Sequence, residues 1–339
     1  MGPFEITKEM VAGLSDERLR ELLRQLLEAE AKSRGISTAG IAVGGNQTAG
    51  DGGIDGSITW SGNPKPRAWL PRRKTNFQSK AETMAAAKIT KEMRPDDKPR
   101  QIFTDLARTR GAYIIFSTDD PSASAYASRI TAMRAALFDV PNGDRIALDF
   151  YGADKIARWA NQHIGIATWL LSTLGRPRGG WQPHGNWSAA TEPGGAYLFD
   201  DTSRAKVGGA FVPMSEAIAR VREQLARPGG AVRLIGLSGM GKTRLAEALF
   251  DERLDAGTAL PRAWAIYADA GLGPAISPAL LTEQIAVNRT EAVIVVDNCA
   301  QRLHGQLAQI VKHDASRASV LIRAWAMEAA ERIEANIAR

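Results

Sequence analysis

Asp55 stands in the turn sequence Asp51-Gly-Gly-Ile-Asp55-Gly, and Gln78 and Lys80 close a run that begins at Arg72. Residues 54–60 and 72–80 alternate as strands do, with the loop SGNPKPRAWLP between them. Residues two apart on a strand share a face, so Gln78 and Lys80 point the same way. An antiparallel hairpin sets Asp55 beside Gln78. One carboxylate, one amide oxygen and one ammonium on one sheet face suit a Mg²⁺ ion, which takes oxygen ligands and keeps several waters. The lysine can polarise an attacking water or stabilise developing negative charge. The helix before them adds a fourth candidate. At about 100° per residue, Leu19, Leu22, Leu23, Leu26 and Leu27 form one apolar face, with Glu30 near its centre and Glu28 on the opposite side. A carboxylate on a core-facing stripe is costly unless it is paired or binds metal. The other reading of Glu30 is an exposed residue near a helix end.

A second group lies further along. Gly236-Leu-Ser238-Gly239-Met-Gly241-Lys242-Thr243 satisfies G-x-x-x-x-G-K-[ST], after a strand (AVRLIG) and before a helix (TRLAEALFDERL). Glycines let backbone N–H groups wrap phosphates at the positive end of a helix. Lys242 reaches the β and γ phosphates, and Thr243 gives a hydroxyl to Mg²⁺. Asp297, closing the apolar run Ala-Val-Ile-Val-Val-Asp, can hold the same ion. Asn298 follows, where many ATPases place a second acid; an amide cannot act as a general base, so hydrolysis stays open.

These residues need elements to carry them. The 339-residue length suggests two domains. With 44% hydrophobic and 24% charged residues the composition is globular. A single cysteine excludes a disulfide scaffold and a Cys-built zinc site, and four scattered histidines argue against a His-built one. The net charge of +6 favours an anionic partner. The opening MGPFEITKEM has no apolar h-region, so a secretory signal is not expected there. The longest apolar stretch, IGIATWLLSTL, is well short of the ~20 residues that span a bilayer, so a cytoplasmic protein without a membrane partner is expected. Segment 63–80 holds Lys65, Arg67, Arg72, Arg73, Lys74 and Lys80 and no acid, which suits DNA phosphates. Trp60, Trp69 and Phe77 within and beside it read as packing residues.

The order of elements predicts an α/β protein. A helix capped by Ser15 is followed by short strands near 40–43, 54–60 and 72–80, then a helix over 81–93. A buried strand at 111–118, a helix over 122–138, a strand at 145–151 and two helices follow. Residues 1–175 read as one mixed-sheet domain flanked by helices. Residues 176–212 read as a Pro/Gly-rich connector, with Trp181 and Trp187 arguing that it docks on something. Residues 213–339 read as the N-terminal part of a P-loop NTPase with a parallel sheet, including a strand near 318–322 and a last helix over 326–339.

Glu30, the GGIDG turn with Asp55, and Gln78-Ser-Lys80 together resemble the PD-(D/E)xK nuclease superfamily in its Mrr-like branch, over about residues 15–175. The resemblance implies a restriction-endonuclease-like fold, Mg²⁺ held by Asp55, Gln78 and Glu30, and cleavage of double-stranded DNA with Lys80. RLIGLSGMGKTRLAEALFD followed by VIVVDNCAQRLHGQLAQIVK is similar to STAND NTPases, more narrowly to antiviral Avs-type proteins with an N-terminal Mrr-like nuclease. That resemblance implies ATP with Mg²⁺ at Gly236, Ser238, Gly239, Gly241, Lys242, Thr243 and Asp297. It also implies self-association on activation, a phage-protein trigger and a role in bacterial anti-phage defence. Family members continue far beyond the position of Arg339, so the NTPase is expected to be incomplete and the sensor region absent. Two other readings stand beside this one: a modification-dependent restriction endonuclease with an accessory NTPase, and a catalytically inert DNA-binding or scaffold module.

Overall fold

The computed structural model describes residues 2–44, 53–185, 187, 204–237, 241–312 and 317–324, without the side chains of 321–324. The chain is mixed α/β and divides into two compact units, Glu5–Asn161 and Met1–Phe4 with Gln162–Arg339. The helix over 164–173 therefore groups with the second unit, not with the first as a boundary at 175 expects.

The first unit begins with α1 (Lys8–Ala12) and α2 (Asp16–Ser33). The Ser15 hydroxyl accepts from the Arg18 N–H, and Asp16 and Glu17 lie in the positive first turn of α2. The leucine stripe of α2 is fully buried. Then come β1 (Ile41–Val43), β2 (Gly56–Thr59), β3 (Lys74–Lys80), α3 (Ala86–Met93), α4 (Ile102–Thr109), β4 (Ala112–Ser117), α5 (Ala123–Ala135), β5 (Ala147–Tyr151) and α6 (Ala153–Ala160). The sheet runs β1-β2-β3-β4-β5, antiparallel through β1–β3 and parallel through β3–β5. Every residue of β4 is buried, as a parallel strand covered on both faces requires. One face carries Tyr113, Ile115 and Phe150, in one core with Ile89 and Met93 of α3, Phe103 of α4 and Met133 of α5. The other carries an aromatic stack. Trp69 lies flat on Trp159 at 5.3 Å, and Phe77 meets Phe116 and Tyr151 edge-on. The packing role expected of Trp69 and Phe77 is thereby met. The predicted helix over 81–93 forms only from Ala86, and α1 and α4 arise where no helix was expected.

The second unit holds α7 (Ile164–Thr173), β6 (Trp181–Pro183), β7 (Arg204–Val207), β8 (Ala210–Pro213), α8 (Met214–Ala226), β9 (Ala231–Ile235), α9 (Lys242–Ala248), β10 (Ala265–Asp269), α10 (Pro278–Val287), β11 (Ala292–Asp297), α11 (Gln301–Val311) and β12 (Ala318–Ala324). Its sheet runs β6-β10-β11-β12-β9, parallel from β10 to β9, with β6 antiparallel at the edge. The segment read as a connector thus supplies an edge strand and the β7–β8 hairpin. Its tryptophans dock: the Trp181 indole donates to the Ile276 carbonyl at 2.9 Å, and Trp187 stacks on Tyr267 at 5.0 Å. Arg222, 2% exposed on α8, donates to the Ala248, Leu249, Asp251 and Asp255 carbonyls at the far end of α9. These bonds tie α8 to the end of α9 and to the turn that follows it, where the Leu260 N–H also donates to the Leu249 carbonyl at 3.0 Å. The helix expected over 326–339 lies outside the described residues. Among the described residues no helix is long and apolar enough to cross a membrane.

Candidate functional site

Register builds the first group. Gly56 pairs with Phe77 across the antiparallel β2–β3 ladder, and the Asp55 N–H donates to the Phe77 carbonyl at 2.9 Å. That sets Asp55 beside Gln78, as the hairpin argument requires. The Gln78 amide Nε2 donates to Asp55 Oδ2 at 2.7 Å, and the Ser79 backbone N–H donates to the same oxygen at 2.8 Å. Both side chains are buried, Gln78 to 3% exposure. Because Asp55 can only accept, the amide must present its NH₂ there, which turns Oε1 the other way. Gln78 Oε1 is buried with no hydrogen-bond partner. A buried acceptor left without a donor costs roughly 1–3 kcal/mol, which a water, another donor or a cation can offset.

Lys80 follows on the same face, half-buried. Its ammonium pairs with Glu92 Oε2 of α3 at 3.1 Å, and Glu92 Oε1 accepts from Arg100 at 2.9 Å. The Arg100 Nε also donates to the Glu92 backbone carbonyl at 2.7 Å. Gly53, at φ +86°, lies against the Arg100 stem, where a Cβ would come within 2.5 Å of Cδ. The glycine that opens the turn to Asp55 is thus required twice, for its left-handed backbone and for the arginine pressed on it. Asp51 lies outside the described residues.

Glu30 is buried as the helical stripe demands, 8% exposed, while the Glu28 side chain is 41% exposed. The structure does not bring it to Asp55. A Cβ on Gly56 would strike Leu23 of α2, so α2 covers the face of Gly56 and Phe77. Strand alternation turns Asp55, Gln78 and Lys80 to the opposite face. Glu30 instead pairs with Arg34 at 3.4 Å. Burial pushes its carboxyl above the ordinary carboxylate range, against Arg34, the Trp159 indole N–H and Arg67. The expectation of Glu30 as a ligand of the Asp55 site is corrected on this ground. Among the described residues no three His, Cys, Asp or Glu side chains gather at one point; what the contacts place at Asp55 is the Gln78 amide and the Ser79 N–H.

Sequence reasoning missed Glu92 and Arg100. Glu92 had a signal: it follows buried Ile89 by three residues and adjoins buried Met93, the same stripe logic that picks out Glu30. Arg100 had none, because it follows an irregular turn in which Asp96 and Asp97 take positive φ. Of the basic segment, Lys65, Arg67, Arg72 and Arg73 are exposed.

In the second unit, β9 and β11 both run parallel to β12, Ile235 opposite Ala324 and Val296 opposite Ile322. The glycine loop and Asp297 therefore leave the sheet at the same, C-terminal end, where α/β sheets bind ligands. Gly236 follows β9 directly, and Gly241, at φ +77°, precedes α9, whose first two residues are Lys242 and Thr243. Ser238 and Gly239 lie outside the described residues. The Lys242 ammonium donates to the Gly236 and Leu237 carbonyls at 2.8 and 2.7 Å, folding back over its own loop. Asp297 accepts from the Asn298 N–H at 2.9 Å and from the Tyr267 hydroxyl at 3.3 Å. Asn298 turns its amide to Asp269, the residue paired with Asp297 in the neighbouring strand, at 3.0 Å.

Comparison with known proteins returns no matching family model, no matching curated protein and no matching solved structure.

Proposed function

We propose that residues 5–161 form a Mg²⁺-dependent DNA endonuclease and that the second unit binds ATP and governs it. The single observation that carries the first half is the buried, unpartnered Gln78 Oε1 beside Asp55, two residues from Lys80 on the same face. The residues fit a hard cation: Asp55 and Gln78 Oε1 would hold Mg²⁺, which supplies Lewis acidity and a water of lowered pKa. Asp55 is held ready by the Ser79 N–H and the Gln78 amide. Lys80 stabilises negative charge as it develops on the phosphoryl oxygens. The exposed cations of segment 63–80 bring the DNA backbone in. The strand order, with two antiparallel strands feeding a parallel set, supports the restriction-endonuclease-like reading of the fold.

The second half rests on the loop and Asp297 at one end of a parallel sheet. There Lys242 would exchange its carbonyl partners for phosphate oxygens, and Thr243 and Asp297 would hold the nucleotide's Mg²⁺. ATP over other nucleotides, self-association and anti-phage defence with a phage-protein trigger follow from the STAND resemblance. The second reading is a DNA-binding unit that does not cut, favoured by the absence, among the described residues, of three His, Cys, Asp or Glu side chains at one point. Plasmid cleavage with Mg²⁺, with and without ATP, tests both. The proposal expects nicking or linearisation that Lys80→Ala abolishes without weakening nucleotide binding, and ATP dependence that Lys242→Ala removes. DNA binding without cleavage in the wild type selects the second reading.

A further inference from the structure

Two residues outside every motif surround Lys80. Glu92 splits its carboxylate, one oxygen on the Lys80 ammonium at 3.1 Å and the other on the Arg100 guanidinium at 2.9 Å. We propose that Lys80 and Arg100 form a two-cation clamp for one phosphodiester of the DNA backbone. Glu92 fills the clamp in the free protein as a carboxylate stand-in that the phosphate displaces. The substrate class rests on the endonuclease reading; the clamp itself rests on the geometry.

Four observations carry it. A single carboxylate bridging two cations holds them a phosphate's width apart, since both anions present two oxygens on one centre. The trio has one more positive than negative charge, so it remains an anion site with Glu92 in place. The three side chains are 23%, 18% and 24% exposed for Lys80, Glu92 and Arg100, open to a backbone phosphate in a way that buried Gln78 is not. Arg100 is also fixed by contacts that do not involve the bridging carboxylate. Its Nε is bonded to the Glu92 carbonyl and its stem rests on Gly53, so it stays in place when the carboxylate swings away. A part-exposed ion pair adds little stability, so folding does not account for an arginine so fitted to the turn that delivers Asp55. Glu92 as a metal ligand is the competing role. Both its oxygens already face cations, whereas Gln78 Oε1 has no partner.

The test is fluorescence anisotropy of a short labelled DNA duplex with the full chain in EDTA, so that no cleavage is needed. Glu92→Gln, nearly the same shape, is expected to tighten binding about threefold or more by removing one negative charge beside the phosphates. Arg100→Ala is expected to weaken binding, to lower the salt slope by about one, and to cancel the gain in the double variant. Thermal unfolding checks each variant, and Glu92→Ala must move affinity in the same direction as Glu92→Gln. Unchanged or weaker binding by a folded Glu92→Gln protein overturns the clamp, as does a Glu92→Gln effect confined to the Mg²⁺ midpoint of cleavage. A wild type that never cleaves but shows the Glu92→Gln gain keeps the clamp and removes the endonuclease reading. A wild type that does not bind the duplex removes both.

Discussion

Replacing Gln78 by glutamate probes the Asp55 cluster with one atom changed. The Gln78 amide donates to Asp55 Oδ2 at 2.7 Å inside a buried site. A glutamate keeps that bond only as the neutral acid. Holding a carboxyl of ordinary pKa near 4.3 protonated at pH 7 costs about 3.7 kcal/mol, at ~1.4 kcal/mol per pH unit. Two ionised carboxylates at that spacing out of water cost more, so protonation sets the ceiling. The folded-state pKa of the new acid is therefore raised. Its stability is intact below the ordinary carboxylate range and is lost as pH rises toward the raised value. Gln78→Glu is expected to destabilise by about 3–4 kcal/mol at pH 7 in EDTA, lowering the melting temperature by on the order of 10 °C, and by only about 1 kcal/mol at pH 5. Mg²⁺ at a hundred times its dissociation constant should return about 2.7 kcal/mol. The assay is thermal unfolding of wild type and variant at both pH values, in EDTA and in Mg²⁺. A variant as stable as wild type at pH 7 in EDTA would refute the buried Gln78–Asp55 contact. Unfolding indifferent to Mg²⁺ in both proteins would refute the cation site.

Three further outcomes follow from groups outside that cluster. Glu30 holds its proton more tightly folded than unfolded, so Glu30→Gln should match wild type near pH 4 and exceed it in stability at pH 8; a variant weaker at pH 8 contradicts the burial argument. Arg222→Ala removes a buried guanidinium that bonds the Ala248, Leu249 and Asp251 carbonyls and should cost about 2–4 kcal/mol in the urea unfolding of the second unit; a loss under 1 kcal/mol would mean that these bonds add little to the fold. Burial between Phe250 and Trp187, with Arg262 nearby, pushes the His184 imidazole down to about 4. Stability carried by the neutral ring is present above about pH 6.5 and lost as pH falls toward 4, by up to roughly 3.4 kcal/mol. His184→Leu should flatten that acid limb, and an unchanged limb would place the loss elsewhere.

The parts that were legible in the sequence are those set by local periodicity. Alternation in residues 54–60 and 72–80 sufficed to set Asp55 opposite Gln78, because a two-residue period fixes which side chains share a face. The leucine stripe of α2 sufficed to bury Glu30. What periodicity lacks is the choice of sheet face. It put Glu30 in the core but not on the side of Phe77, since that depends on how α2 packs on the hairpin. Strand β10 was missed because AIYAD is short and preceded by a Pro-Arg-Ala-Trp turn; its pairing with β11 supplies the stability its own length does not. The β7–β8 hairpin was missed for a similar reason, its Gly208-Gly209 turn lying in a stretch rich in breakers.

One pairing sets the order in which the second unit can assemble. The strand that launches the glycine loop, β9, hydrogen-bonds to the sheet only through β12 among the described residues. Its partner is translated about ninety residues later, and loop closure over such a length slows a folding step that must precede any nucleotide site. Until β12 emerges from the ribosome, β9 exposes two unpaired edges beside apolar Val232 and Leu234 and is a target for premature pairing or proteases. Fragments cut before residue 318 should accordingly leave the loop strand undocked, however complete their glycine motif, whereas those extending past 324 have the means to seat it.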